Sequence, residues 1–175
     1  EGLLTEFVEG NILALQNLSE TVSDKEMRGA VDLIANAAVV HVAGFRRAFP
    51  ISAYLAYSLQ QLGKHVQFID GVGGLARPQA NTIDDKDLLI AVSFHPYAPE
   101  TVELTEIAAR NGAKILSISD SRVSPIAKAA DIALQVHDSE VRSFRSLAAS
   151  MCLAQAVVIG FAFEAEGSRK VARKK

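Results

Sequence analysis

The sequence predicts a three-layer α/β/α sandwich around a five-stranded parallel sheet, of the flavodoxin-like type, and three observations predict it. Five short apolar runs, at residues 38–43, 65–69, 88–93, 114–119 and 132–136, are near-continuous rather than alternating, as in strands covered on both faces. Helical stretches separate most of them, the order expected of right-handed βαβ crossovers. The chain also begins and ends in helical periodicity, which supplies extra cover for the sheet.

Each element has its own local reason. Leu4, Phe7, Val8, Ile12, Leu15 and Leu18 recur at three- and four-residue steps, one face of a helix. Ser23-Asp24 caps a second helix, with Glu26 as the capping-box acid and Met27, Val31 and Ile34 on its apolar face. Both helices precede the first strand and can cover the sheet or form a dimer surface. Residues 53–62 read as a helix closed by Gly63, and 99–110 as one opened by Pro99 and closed by Asn111-Gly112. Ser124-Pro125 opens a short helix by the same device. A last helix is expected from about 143 to 166, with Leu147, Met151, Ala154, Val158 and Phe161 on one stripe. Cys152 lies in it as a buried small hydrophobe. The chain divides into a helical extension (1–24), the sandwich (25–168) and a basic tail (169–175).

The 175 residues are 49% hydrophobic and 22% charged, enough to build a core and too apolar for wholesale disorder. The net charge is −2, and taking away the five basic residues of the tail leaves −7 for residues 1–168. That body repels a nucleic-acid backbone, and the tail reads as a solvated end. A single cysteine excludes an intramolecular disulfide and a CxxC cage. No unbroken apolar run of spanning length is visible and the first residues are no signal peptide, so a cytoplasmic protein without a membrane span is expected. A start without Met points to a piece of a longer chain or a trimmed end. The four histidines show no ligand spacing, so neither metal nor cofactor is expected. His41 reads as a core histidine and His65 as structural or exposed.

Chemistry is expected just past the strand ends. Three segments lie there: residues 44–50, 93–101 and 137–143. Two of them enter helix N-termini, whose free N–H groups suit an anion, and Arg46 and Arg47 add fork-shaped donors. The candidate ligand-binding set is Gly44, Phe45, Arg46, Arg47, Ala48, Ser93, His95, Tyr97, Ala98 and Glu140. The Asp70–Gly74 stretch lacks a phosphate-loop pattern and reads as a flexible loop near the cleft.

These segments carry a resemblance. Gly44-x-x-x-Ala48 after a strand, Asp87 through Ser93 before Glu100-Thr101, and Gly112 through Asp120-Ser121-x-x-Ser124-Pro125 to Asp131 resemble the sugar isomerase (SIS) domain over residues 25–165. The two leading helices, the Asp-Ser-x-x-Ser-Pro turn and Phe144-Arg145-Ser146 look most like the effector domain of RpiR-type transcription regulators. The resemblance implies a ligand-sensing domain for a sugar phosphate or related derivative, with DNA bound only through a helix-turn-helix domain absent from this chain. Separately, Leu4, Phe7, Ile12, Leu15 and Leu18, continued by Met151 and Phe161 in the last helix, make a larger apolar face than one small sheet needs, which implies a homodimer or tetramer.

The family's hydroxyl cradle, Gly-x-Gly-x-Ser and Ser-x-Ser-Gly-x-Thr, is altered here. Arg46 replaces the second Gly and Ala48 the Ser; Ser93 stays, while His95, Pro96 and Ala98 replace Ser, Gly and Thr. A phosphate then depends on backbone N–H groups, Ser93, the arginines and His95; a carboxylate, or a neutral sugar derivative stacked on Tyr97, suits the same loop. A second reading is an aldose–ketose isomerase with Glu140 as base beside His137 and His95; otherwise Glu140 simply favours a helix N-terminus. A third is a dimerisation module whose pocket has decayed.

Overall fold

A computed structural model describes residues 2–172. Helices α1 (Leu3–Thr21) and α2 (Asp24–Asn36) precede β1 (Val40–Ala43), α3 (Phe49–Gln61), β2 (Val66–Ile69) and the short α4 (Ala76–Ala80). Then come β3 (Leu88–Ser93), α5 (Pro99–Arg110), β4 (Lys114–Ser119), α6 (Pro125–Lys128) and β5 (Ile132–Gln135). A small hairpin, β6 (Glu140–Val141) and β7 (Phe144–Arg145), leads into α7 (Ala148–Ala172).

The five main strands are all parallel, in the order β2-β1-β3-β4-β5. Strand order reverses between β1 and β3, so a crevice opens beyond their C-termini. Ala43 pairs with Ala91, and β3 therefore runs two residues past β1 to end at Ser93. On one face α2, α3 and α7 bury Ile34, Leu55, Leu59 and Leu153 against Val42, Ile90 and Ile118. On the other, α4, α5 and α6 bury Ala80, Leu104, Ile107 and Ile126 against Leu89 and Ala91. Each fully buried Leu or Ile contributes about 1.5–3 kcal/mol. This two-sided cover is why β3 reads as an unbroken apolar run, buried at every position.

The caps read from the sequence are in place. Ser23 and Glu26 form a reciprocal capping box, and Ser124 accepts from the Ala127 N–H at 3.2 Å. Gly63 and Gly112 end their helices at φ 83°. His41 is buried in β1, its Nε2 3.1 Å from Asp87.

Several expectations are corrected. The last helix begins at Ala148, not near 143, because residues 140–145 pair as a hairpin whose turn residues Arg142 and Ser143 take φ 50° and 67°. Cys152 is exposed rather than buried. The Asp70–Gly74 stretch contains a 3₁₀ turn, Val72–Gly74, and leads through Leu75 into α4, so it is more structured than a simple loop. Residues Ala148–Gly167 are long and apolar enough to cross a bilayer, contrary to the expected lack of such a stretch. In this fold that composition serves packing: Ala149, Leu153, Ala154, Val157, Val158 and Phe161 face the core. The α7 backbone includes Arg169 and Lys170, while 173–175 of the basic tail lie outside the described residues.

Candidate functional site

The crevice between β1 and β3 is an open cleft of about 430 Å³. Its floor comes from the turn after β1, its second wall from the loop after β3, and its third from the β6–β7 hairpin. Gly44 permits the first turn: a Cβ there would stand 3.0 Å from the Ser52 side chain and 3.1 Å from the Val92 carbonyl oxygen. A 3₁₀ turn, Arg46–Ala48, follows and passes into α3. Arg46 adopts φ 57°, the left-handed region that favours glycine. Its guanidinium lies on the rim, 3.4 Å from both carboxylate oxygens of Glu100 on α5.

Arg47 points inward. Its guanidinium carbon stands 4.7 Å over the Phe94 ring, and Nη1 lies 3.5 Å from the Ser146 carbonyl oxygen. Burial, and then the neighbouring Arg145 guanidinium, push its pKa below the ordinary arginine value; Asp138, Asp120 and Glu140 oppose this. Arg145 donates through Nε to Glu140 at 3.3 Å and through Nη1 to the His95 carbonyl oxygen. Two guanidiniums thus share one concave, partly dehydrated space.

The loop after β3 is held from behind. Asp120, at the end of β4, accepts the His95 N–H and the Tyr97 hydroxyl, each at 3.0 Å. The buried Ser93 hydroxyl accepts the Ala98 N–H at 3.2 Å, fixing the entry to α5. The start of α7 is tied by Asp138, which accepts the Ser150 N–H at 3.0 Å and the Ser150 hydroxyl.

The cleft brings together Phe45, Arg46, Arg47, Ala48, Ser93, His95 and Ala98 of the sequence-derived set. Gly44 shapes the turn beneath them, while Tyr97 and Glu140 do not line the cleft. Tyr97 turns to Asp120, and Glu140 stands beside Arg145 in the hairpin. Phe94, Pro96, Phe144 and Arg145 also line the cleft, as does Ser143 at the end of the expected third segment, and none of them is in that set. Placing Phe144 and Arg145 in the last helix hides the wall they make with the hairpin. The cleft gathers the Arg47 and Arg145 guanidiniums and the Ser93 hydroxyl where two strands part, a set whose charge suits an anion. Among the described residues, no three His, Cys, Asp or Glu side chains are grouped to hold a metal.

Comparison with known proteins now decides the family. The SIS domain model matches residues 33–160. The chain belongs to the SIS-domain family. An uncharacterized HTH-type transcriptional regulator of Bacillus subtilis, YbbH, is 28% identical over 161 residues, 91% of this chain and 56% of its own length. The chain thus spans about half of that relative. The sugar isomerase domain of an RpiR transcription factor from Sphaerobacter thermophilus shares the fold at TM-score 0.91 and 23% identity, covering 99% of both chains. Vibrio vulnificus NanR, complexed with ManNAc-6P, shares it at TM-score 0.82 and 18% identity, over 99% of this chain and 68% of that one. The chain is thus an SIS domain that shares its fold with these regulator domains.

Proposed function

We propose that this SIS domain is a noncatalytic ligand sensor of an RpiR-type transcription regulator, and that it binds a sugar phosphate or related anionic sugar derivative in the β1–β3 crevice. The observation that carries this reading is the convergence of Arg47 and Arg145 on one cleft. Two like charges facing each other in a partly buried space favour an anion between them. The phosphosugar bound by NanR supports the same class of ligand. DNA contact belongs to a domain outside this chain, and the sensor acts in the cytoplasm as a homodimer or higher oligomer. Ligand binding shifts the relative pose of the paired domains by favouring one arrangement over another.

The test is a thermal-shift panel of sugar phosphates, sugar acids and amino sugars, ManNAc-6P among them. A ligand at a hundred times its dissociation constant adds about 2.7 kcal/mol. At about 2–4 °C per kcal/mol for a chain of this size, the midpoint should rise by roughly 5–10 °C. The same ligand should give no shift with Arg47→Ala. A flat response across the panel, or a shift that survives Arg47→Ala unchanged, overturns the reading.

A further inference from the structure

We propose that Glu140 is the resident counter-anion of the cleft, displaced from Arg145 when the ligand's anionic group binds. The proposal rests on the reading of the cleft as an anion site and concerns how its affinity is set. Glu140 and Arg145 are register partners in the β6–β7 hairpin, so two backbone strands hold the carboxylate beside the guanidinium. Arg145 forms part of the cleft wall, and its Nε donates to Glu140 at 3.3 Å. Both side chains are partly exposed, at 36% and 53%, so the pair is solvent-screened and open to exchange.

The hairpin that presents them is itself pinned to α1. Arg142 meets Glu6 at 2.8 Å, and the Ser139 hydroxyl donates to Asn11 at 2.8 Å. With the hairpin fixed, exchange changes only which anion faces a stationary guanidinium. Arg47 supplies the second cation, whereas Arg46 is already engaged by Glu100. A structural carboxylate and a counter-anion differ in the sign of one effect. Neutralising a counter-anion strengthens binding of an external anion, and a merely structural carboxylate would weaken it by loosening the wall.

Inorganic phosphate is the probe, titrated into the whole 175-residue chain and followed by backbone amide shifts of residues 44–48 and 93–98. Glu140→Gln should lower the phosphate dissociation constant about two- to fivefold, the range of a partly exposed ion pair. Glu140→Ala gives the same direction if Gln disturbs the hairpin. Arg145→Gln should weaken binding at least roughly tenfold, as loss of a charge-assisted bond does. On the Arg145→Gln background, the gain from Glu140→Gln should shrink to the weaker, longer-range effect of its charge on Arg47, because the paired guanidinium is gone. Saturable phosphate binding in the wild type with an equal or weaker constant in both Glu140 variants overturns the counter-anion role alone. No saturable shift in any variant overturns the anion site, and this proposal with it.

Discussion

The Tyr97 hydroxyl donates to Oδ1 of Asp120 at 3.0 Å, and the partner oxygen of that carboxylate receives the His95 N–H at 3.0 Å. One side chain from β4 therefore anchors the loop that closes the cleft beyond β3. Burial, together with the bond to Asp120, pushes the Tyr97 pKa above its ordinary value. The folded state keeps this proton where the unfolded chain begins to lose it, near pH 10. That share of stability is intact below about pH 10 and disappears as pH climbs through the raised folded pKa. Tyr97→Phe should lose about 1 kcal/mol near neutrality. Its stability should also decline less above about pH 10 than the wild type's, measured by urea unfolding. An equally steep alkaline decline would show that Tyr97 carries none of it.

Arg46 holds a left-handed φ of 57° at the position where the family pattern has its second glycine. A non-glycine residue in that conformation costs roughly 1–2 kcal/mol. The exposed Arg46–Glu100 pair offsets at most about 1 kcal/mol. Arg46→Gly should therefore stabilise the chain by about 0.5–1 kcal/mol, raising the thermal midpoint by roughly 1–4 °C. Gly44→Ala, two residues away, should do the reverse, because its Cβ meets Ser52 and Val92 at 3.0–3.1 Å. The expected cost is about 1–3 kcal/mol. Calorimetric scans of the two variants check both signs, and a destabilised Arg46→Gly would mean that the ion pair outweighs the strain.

The reach of the sequence is uneven for physical reasons. β3 was legible because a strand buried on both faces leaves a nearly continuous apolar run. The crevice between Gly44 and Ser93 followed, since a doubly wound sheet places its first and third strands side by side. Ser23 and Ser124 could be read because capping is local chemistry. The hairpin could not: its turn carries Arg142 and Ser143 at positive φ, where Asn-Gly is the usual signal. Arg145 was hidden with it, although it forms a wall of the cleft. Phe161 was expected among surplus apolar residues of the last helix, yet it is buried, while Ile159 and Phe163 are the exposed ones.

Glu26 links the N-terminal helices to the turn after β4 by pairing with Arg122 at 2.7 Å. Partial burial alone would raise its pKa, but Arg122 and the Ser23 N–H and hydroxyl hold it down to about 2. A depressed folded pKa gives stability that is present above the unfolded value, near pH 4.3, and lost as pH falls through about 2. Glu26→Gln should cost about 1 kcal/mol at pH 7. The gap to the wild type should narrow below about pH 4 and close near pH 2, as followed by denaturant unfolding across that range. A gap constant with pH would assign the loss to packing instead.

The α1 helix has no buried residue, and its apolar side chains Leu4, Phe7 and Ile12 are 75%, 38% and 48% exposed. A contiguous apolar face of this kind is expected to be covered by a second copy of the chain. Light scattering should give a dimer or larger at micromolar concentration, and Leu4→Glu with Ile12→Glu should shift it to monomer. A wild-type monomer would refute the assembly.

Catalysis separates the sensor from an aldose–ketose isomerase. Proton transfer between sugar carbons needs a base within about 3 Å of the carbon-bound proton and a substrate held rigidly by its phosphate. Glu140 is instead engaged by Arg145 at 3.3 Å and does not line the cleft. Ala48, His95 and Ala98 stand where the family pattern places phosphate-binding hydroxyls or their neighbours, so the cradle that would hold the substrate rigid is reduced to Ser93 and the arginines. General-base catalysis contributes only about 10²–10⁴-fold, which does not compensate for a mispositioned reactant. No turnover of common pentose or hexose phosphates is expected, even at high protein concentration. Solvent deuterium incorporation at C1 or C2, read by NMR, detects the proton transfer where the equilibrium would hide net conversion. Incorporation in the wild type that vanishes in Glu140→Gln would make Glu140 a base and the domain an enzyme, and tighter phosphate binding in the same variant without incorporation would make it a counter-anion in a sensor.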